Sequence, residues 1–157
     1  MRSSFAQLHT PTVIQAHIRT YQEAKEDAVV ELWTACGLIV PQNDPHRDIA
    51  RKFTDSPDLF LVAESGGRLI GSCMVGYEGH RGWINYLAVH PDYQRQGLAT
   101  RLMAQASSLL TALGCPKINL QIRKSNNAVR AFYESIGYRE DEVISMGRRL
   151  ITDTKPA

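Results

Sequence analysis

Two short stretches hold the residues best suited to chemistry. In the first, Leu87-Ala88-Val89 closes a strand, His90-Pro91-Asp92 turns, and Gln94-x-x-Gly97-x-Ala99 leads directly into an amphipathic helix. The opening N–H groups of a helix lack internal partners and lie at the positive end of its dipole. Gly97 removes a Cβ from the path of an approaching group, and Ala99 keeps the next turn thin. Such a turn suits a phosphate or pyrophosphate, with Arg95 adding a full positive charge beside it. An ordinary strand-to-helix turn that needs glycine for its dihedrals is the competing reading. No Gly-Lys-Ser/Thr follows, so this is not a P-loop; GxGxxG is absent and antiparallel strands precede the turn, which disfavours a dinucleotide fold.

The second stretch runs from Asn126 to Tyr138 and places an Asn at a helix start and Tyr133 seven residues on. Seven residues make about two turns, so Asn126 and Tyr133 share a helix face. Ala128, Val129, Phe132 and Ile136 supply the packing side.

The elements that position these stretches are legible from periodicity and punctuation. Ile18–Tyr21 reads as a first strand, and apolar residues from Ala24 to Cys36 recur at helical spacing until Gly37 stops them. A loop from Pro41 leads to a shorter helix around Asp48–Phe53, capped by Asn43 or Asp44. Leu59–Ala63, Leu69–Tyr77 and Trp83–Val89, joined by Ser65-Gly66-Gly67 and Gly79–Gly82 turns, form an antiparallel meander. The helix from Gly97 packs Leu98, Leu102, Ala106, Leu109 and Leu113 on one face, with Ala99, Met103 and Leu110 flanking it. A strand at Lys117–Ile122, a helix at Asn126–Ile136 and two closing strands, Tyr138–Ile144 and Met146–Ile151, complete the order β-α-α-β-β-β-α-β-α-β-β. The expectation is an α/β (α+β) fold, a mixed and mostly antiparallel central sheet with helices on both faces. Residues 17–157 form one domain, and residues 1–16 read as a loosely ordered extension, with only a faint compositional likeness to an organelle transit peptide.

Composition narrows the partners. With 157 residues and 43% hydrophobic content, the chain is long enough for one buried core and too apolar for a disordered tail. Eighteen basic against sixteen acidic residues give a net charge of +2, too weak a bias for a duplex-binding module. No nucleic acid is therefore expected, and no apolar run of about 20 residues is present to span a membrane. Cys36, Cys73 and Cys115 are scattered without a CxxC pair, and the histidines form no metal-ligand spacing, so a reduced cytoplasmic setting without metal is expected. Cys115 and Cys73 read as small core residues, and core packing is also the expectation for Trp33 and Trp83.

Together the two stretches resemble the GCN5-related N-acetyltransferases, the GNAT family, which transfer acetyl from acetyl-CoA to an amine. Gln94, Gly97 and Ala99 match the family's Gln/Arg-x-x-Gly-x-Gly/Ala cofactor motif. Asn126, Tyr133, Gly137 and Tyr138 match its later Asn…Tyr…Gly-aromatic motif. The loop Leu38-Ile39-Val40-Pro41-Gln42-Asn43-Asp44-Pro45 and Gly114-Cys115-Pro116-Lys117 are similar to the YpeA-like bacterial acetyltransferase subgroup. The resemblance covers Ile18 to Leu150 in element order.

The resemblance implies acetyl-CoA as co-substrate, with the pantetheine arm lying as an added strand against Leu87, Ala88 and Val89. The amides of Arg95, Gln96, Gly97, Leu98, Ala99 and Thr100, behind Gln94, would cradle the pyrophosphate. Asn126 would reach the arm from the other wall. Tyr133 would donate a proton to the departing thiolate as a phenol of pKa about 10, and the Val89 N–H would polarise the thioester oxygen. The resemblance further implies that the acceptor is a primary amine attacking directly in a ternary complex. Many relatives carry a Glu in the fourth strand; Trp83-Ile84-Asn85-Tyr86 offers none. Glu78 is the first candidate base, with His80 and water-mediated deprotonation as alternatives. A non-catalytic acyl-CoA-binding module is the rival reading. Asn43, Asp44 and His46 either contact the acceptor or merely shape the helix start. Proteins of this fold often pair through sheet edges or last strands, which leaves a homodimer open although no residue pattern marks a seam.

Overall fold

The computed structural model describes residues 15–153, and the expectation for residues 1–14 lies outside them. Five strands, β1 (His17–Thr20), β2 (Phe60–Ser65), β3 (Arg68–Tyr77), β4 (Gly82–Val89) and β5 (Ile118–Leu120), lie side by side in chain order. The first four pair antiparallel, and β5 joins β4 in parallel after the crossover through a long helix. Helices α1 (Glu26–Ala35) and α2 (Pro45–Thr54) cover one face; α3 (Leu98–Ala112) and α4 (Asn127–Ser135) cover the other.

Alternation along the strands divides the core in two. Cys73, Val75, Ile84, Leu102 and Tyr133 pack with α3 and α4, while Val29, Trp33, Ile49, Phe60 and Ala88 pack with α1 and α2. At Gly82 an added Cβ would stand 2.8 Å from Leu110 Cδ1 and 3.0 Å from Cys115 Sγ. Glycine there lets α3 sit directly on the start of β4, and the partly buried Cys115 packs against the core as a small residue.

Helix α2 starts earlier than its periodicity suggests. Asp44 accepts from the amides of His46 (2.9 Å) and Arg47 (3.3 Å), and Pro45 occupies the first helical position, where its missing N–H costs nothing. On α3 the buried stripe is Leu98, Leu102, Met103, Ala106 and Leu110, rotated from the expected face. Leu113 is the C-cap residue and stands 54% exposed. Trp33 is fully buried, but Trp83 is 37% exposed and is not a core residue.

The two closing strands are the main correction to the sequence reading. No strand follows β5 among the described residues, and 139–150 run as exposed irregular chain. A strand exists only where a neighbouring backbone accepts and donates its hydrogen bonds, and here none is alongside.

Candidate active site

The site begins where β4 and β5 part. Their pairing runs Gly82↔Ile118, Trp83↔Asn119, Ile84↔Leu120 and then stops, leaving the rest of β4 without a neighbour on that side. At the same level β4 carries a bulge: Ser72 faces Ala88 and Met74 faces Asn85, so Tyr86 and Leu87 together oppose Cys73. Tyr86 takes a left-handed conformation, φ +50°, to make it. Strict alternation from Ile84 would put the Tyr86 ring under α3 and α4; the extra residue turns it to the α1–α2 face.

That strained residue is held from three directions. Its ring stacks on Trp33 with centroids 3.7 Å apart and planes at 9°. Its carbonyl accepts from Ser72 Oγ at 2.7 Å, and that hydroxyl in turn accepts from Trp33 Nε1 at 2.9 Å. Its own hydroxyl donates to Asp48 Oδ2 at 2.7 Å. Burial and the Asp48 carboxylate push the Tyr86 phenol well above its ordinary pKa, so it remains the donor.

Beyond the bulge the ladder fixes which way the backbone points. The His90 amide donates to the Ile70 carbonyl at 2.8 Å, which makes His90–Ile70 a bonded pair and Val89–Gly71 a non-bonded one. The Val89 N–H and carbonyl therefore point away from β3, toward the opening. The carbonyl is taken by Gln94 Nε2 at 3.1 Å and by the Cys36 thiol at 3.3 Å, whereas the N–H stays free among the described residues. Gln94, though exposed, thus braces the loop.

After a short 3-10 turn, Pro91–Tyr93, the chain reaches Arg95 (φ +61°) and Gly97 (φ +82°). No side chain caps α3, whose first backbone bond runs from Arg101 N–H to Gly97 O at 3.1 Å. Among the described residues the amides of Arg95 to Thr100 donate to no backbone carbonyl. Gly97 has nothing within 4 Å of an added Cβ, so its left-handed φ, rather than crowding, is what calls for glycine. Six consecutive amides, a helix N-terminus and the exposed Arg95 guanidinium make a cradle whose chemistry fits a diphosphate.

Helix α4 packs on the same face of the sheet as α3. Asn126 is its N-cap, its Oδ1 accepting from the Val129 amide at 3.3 Å, which leaves the carboxamide N–H groups to donate elsewhere. The Tyr133 ring is buried, 6% exposed, against Cys73, the residue opposite the bulge. It meets Phe132 and Tyr138 edge-on, at 5.1 and 5.4 Å. Its hydroxyl has no hydrogen-bond partner among the described residues yet is not sealed from solvent. Burial, with Cys73 and Tyr138 beside it, raises the Tyr133 pKa well above the ordinary value, and burial pushes the Cys73 thiol up to about 12.

Glu78 and His80 stand elsewhere. They occupy the β3–β4 turn, beyond the Tyr77↔Gly82 pair and at the closed end of the β4–β5 pairing. The Glu78 carboxylate accepts from the amides of Arg81 and His80 (2.7 Å for the latter) and from Trp83 Nε1 at 3.1 Å. Those donors, the Arg81 amide foremost, lower its pKa. The structure therefore sets Leu87–Val89 and Gln94–Thr100 in succession along the β4 edge that β5 leaves unpaired, Tyr133 against Cys73 opposite the bulge and Asn126 at the start of α4, and it puts Glu78 at the other end of β4. The Tyr86–Asp48–Trp33–Ser72 support went unseen because the bulge that assembles it leaves no periodic trace.

The acetyltransferase (GNAT) family model matches residues 17–138. The chain belongs to the GNAT acetyltransferase family. It is 47% identical over 136 residues to an acetyltransferase of Pectobacterium atrosepticum, covering 87% of this chain and 96% of that one. An acetyltransferase of Sodalis glossinidius is 48% identical over 137 residues, with the same coverage. The fold is shared with the ribosomal-protein-S18-alanine N-acetyltransferase of Escherichia coli (TM-score 0.68, 22% identity, 80% of this chain and 79% of that one). It is also shared with an aminoglycoside N-acetyltransferase in complex with CoA (TM-score 0.69, 17% identity, 89% and 98%). No helix among the described residues is long and apolar enough to cross a membrane.

Proposed function

We propose that this GNAT protein transfers the acetyl group of acetyl-CoA to a primary amine of a small molecule or protein, by direct attack in a ternary complex in the cytoplasm. The observation that carries this reading is the run of undonated amides from Arg95 to Thr100, which continues from the β4 edge left unpaired beyond Ile84. Acetyl-CoA supplies the acyl group as a thioester. The Arg95–Thr100 amides bind its diphosphate, Leu87–Val89 align its arm as an added strand, and Asn126 donates to that arm from the facing wall.

Two groups of this chain handle charge. The free Val89 N–H points where the thioester oxygen gathers negative charge, and Tyr133 Oη–H gives its proton to the departing sulfur. The raised Tyr133 pKa keeps that proton in place at neutral pH. Glu78 is spent on a turn, so the amine loses its proton to water in the opening rather than to a carboxylate.

An acyl-CoA-binding module without activity would have no use for an unpartnered, solvent-reaching phenol on a buried ring. Calorimetry with acetyl-CoA, followed by thiol release against a panel of primary amines, separates the two readings. Heat and amine-dependent release are expected. Heat without release from any amine would leave a binding module, and no heat at millimolar acetyl-CoA would remove both. Gly97→Val, which forces a β-branched residue into φ +82°, is expected to weaken binding at least tenfold.

A further inference from the structure

The stretch 147–151 closes a hollow against α2. Arg51, Gly147, Arg148, Arg149, Leu150 and Ile151 line a cavity of about 500 Å³, a size that suits a small molecule rather than a folded partner. Neighbouring side chains in an extended segment point to opposite sides, yet Arg148 and Arg149 both border this cavity. A second hollow, earlier in the same stretch of chain, is bordered by Glu140, Asp141, Glu142, Val143 and Ile144, whose charged members are all acidic. The two signs are kept apart along the chain.

The guanidiniums are unequally occupied. Arg51 donates from Nη1 to Asp48 Oδ1 (3.1 Å) and Asp153 Oδ2 (2.9 Å), and from Nη2 to Asp153 Oδ1 (2.6 Å). Asp153 is 5% exposed, so Arg51 is a fixed wall of the cavity. Arg149 spends one N–H, on Asn43 Oδ1 at 3.1 Å. Arg148, exposed like Arg149, makes no hydrogen bond or ion pair among the described residues. Each guanidinium carries five N–H donors in a planar fork that matches the oxygens of a carboxylate or phosphate. Around the cavity Arg47, Arg51, Arg148 and Arg149 outnumber Asp44, Asp48 and Asp153 by one charge.

The cavity is also two hydrogen bonds from β4. Arg51 bonds Asp48, and Asp48 Oδ2 accepts from the Tyr86 hydroxyl at 2.7 Å. Followed along covalent bonds and these contacts, the path from the Arg51 guanidinium to the Tyr86 Cα is at most about 15 Å. Tyr86 directly precedes Leu87–Val89 and turns its ring to the α1–α2 face. An anion held by the arginines therefore lies on that side of the β4 edge, at a span one short extended molecule covers. We propose that this cavity holds the carboxylate or phosphate of an acceptor that carries its amine on the same small molecule, a short peptide or a phosphorylated amine. This rests on the reading of the protein as an amine acetyltransferase and sets its substrate class. Zwitterionic amines are taken in, and polycations, whose further ammonium groups would face the arginines, are turned away.

Calorimetry on the full chain with acetyl-CoA present should show succinate and inorganic phosphate binding, at least tenfold more weakly in Arg148→Gln/Arg149→Gln. The Kd for acetyl-CoA should be the same in both proteins. Turnover is then compared within pairs at equal concentrations of neutral amine: glycylglycine against glycylglycinamide, and phosphoethanolamine against ethanolamine. The anionic member of at least one pair should have the higher kcat/KM by at least tenfold, the first pair marking a carboxylate and the second a phosphate. The double variant should erase that difference. Arg148→Gln, which gives up no bond among the described residues, takes its place if the double variant does not fold. Equal kcat/KM within both pairs, a preference that survives the variants, or succinate and phosphate heats that the variants leave unchanged would each overturn the proposal. Acetyl-CoA binding without turnover of any amine would remove the transferase reading alone. The anion site would then stand or fall on whether the variants lose succinate and phosphate.

Discussion

The Trp33 indole lies flat against the Tyr86 ring, 3.7 Å between centroids, while its N–H reaches the hydroxyl of Ser72, which holds the Tyr86 carbonyl. Stack and hydrogen-bond relay act on the same residue, the one with φ +50° that turns β4 away from β5. A left-handed non-glycine residue costs about 1–2 kcal/mol, so the bulge persists only because its surroundings over-determine it.

Ser72→Ala tests that dependence. Removing the hydroxyl leaves the buried indole N–H without an acceptor and the Tyr86 carbonyl without its donor, a loss of about 1–3 kcal/mol. For a chain of this length that is a fall in Tm of about 3–10 °C, readable by calorimetry. Because the bulge sets the direction of Leu87–Val89, the KM for acetyl-CoA should rise in the same variant. A protein with lower Tm and unaltered KM would show that the bulge is dispensable for the opening.

Tyr133→Phe separates chemistry from packing. The ring is buried and stays so, and the hydroxyl gives up no protein hydrogen bond, so Tm should move little. A positioned proton donor contributes about 10²–10⁴-fold, so kcat should fall by at least about 100-fold with the KM for acetyl-CoA nearly constant. Since burial raises the phenol's pKa above its ordinary 10, its proton is retained as pH rises through that value. The unaltered enzyme should therefore show no descending limb from Tyr133 below pH 10. An unchanged kcat in Tyr133→Phe would remove it from catalysis.

What could be read ahead of the structure follows from how each feature is encoded. The meander from Phe60 to Val89 and the α3 cradle were legible because alternation, turn glycines and the uncapped Gly97 are local signals. The bulge at Tyr86 was not, because one extra residue in a strand looks like a strand. Trp83 was misplaced in the core for a related reason: hydrophobicity alone does not say that an indole N–H will bind Glu78 and stay 37% exposed. The closing strands failed differently. Their residues carry strand character, but pairing is a property of what lies alongside, and among the described residues no backbone pairs with them.

The two-pronged bond from Arg51 on α2 to Asp153, 2.6 and 2.9 Å, makes a pH prediction. Arg51 holds the Asp153 carboxyl down to about 2, against an ordinary 3.9. A carboxyl with a lowered folded-state pKa stabilises the fold fully above its unfolded value and loses that contribution as pH falls through the folded one. Asp153→Asn should therefore melt below the unaltered protein by a constant margin from pH 5 to 8. The margin should close between about pH 4 and pH 2 in thermal melts. A margin independent of pH down to 2 would mean that the pair with Arg51 contributes nothing through charge.

Glu78→Gln distinguishes a turn residue from a base. Its carboxylate holds two backbone amides and the Trp83 indole at the β3–β4 turn, at the closed end of the β4–β5 pairing. A neutral carboxamide keeps an acceptor oxygen but weakens charge-assisted bonds, so a small loss of Tm is expected. The rate should be a different matter. If water takes the amine's proton, the ascending limb of the pH–rate profile belongs to the amine and should be superimposable in enzyme and variant. It should shift instead when the acceptor is exchanged for an amine of lower pKa. An ascending limb that vanishes in Glu78→Gln with every amine would make the carboxylate the base and require the turn to rearrange when substrate binds.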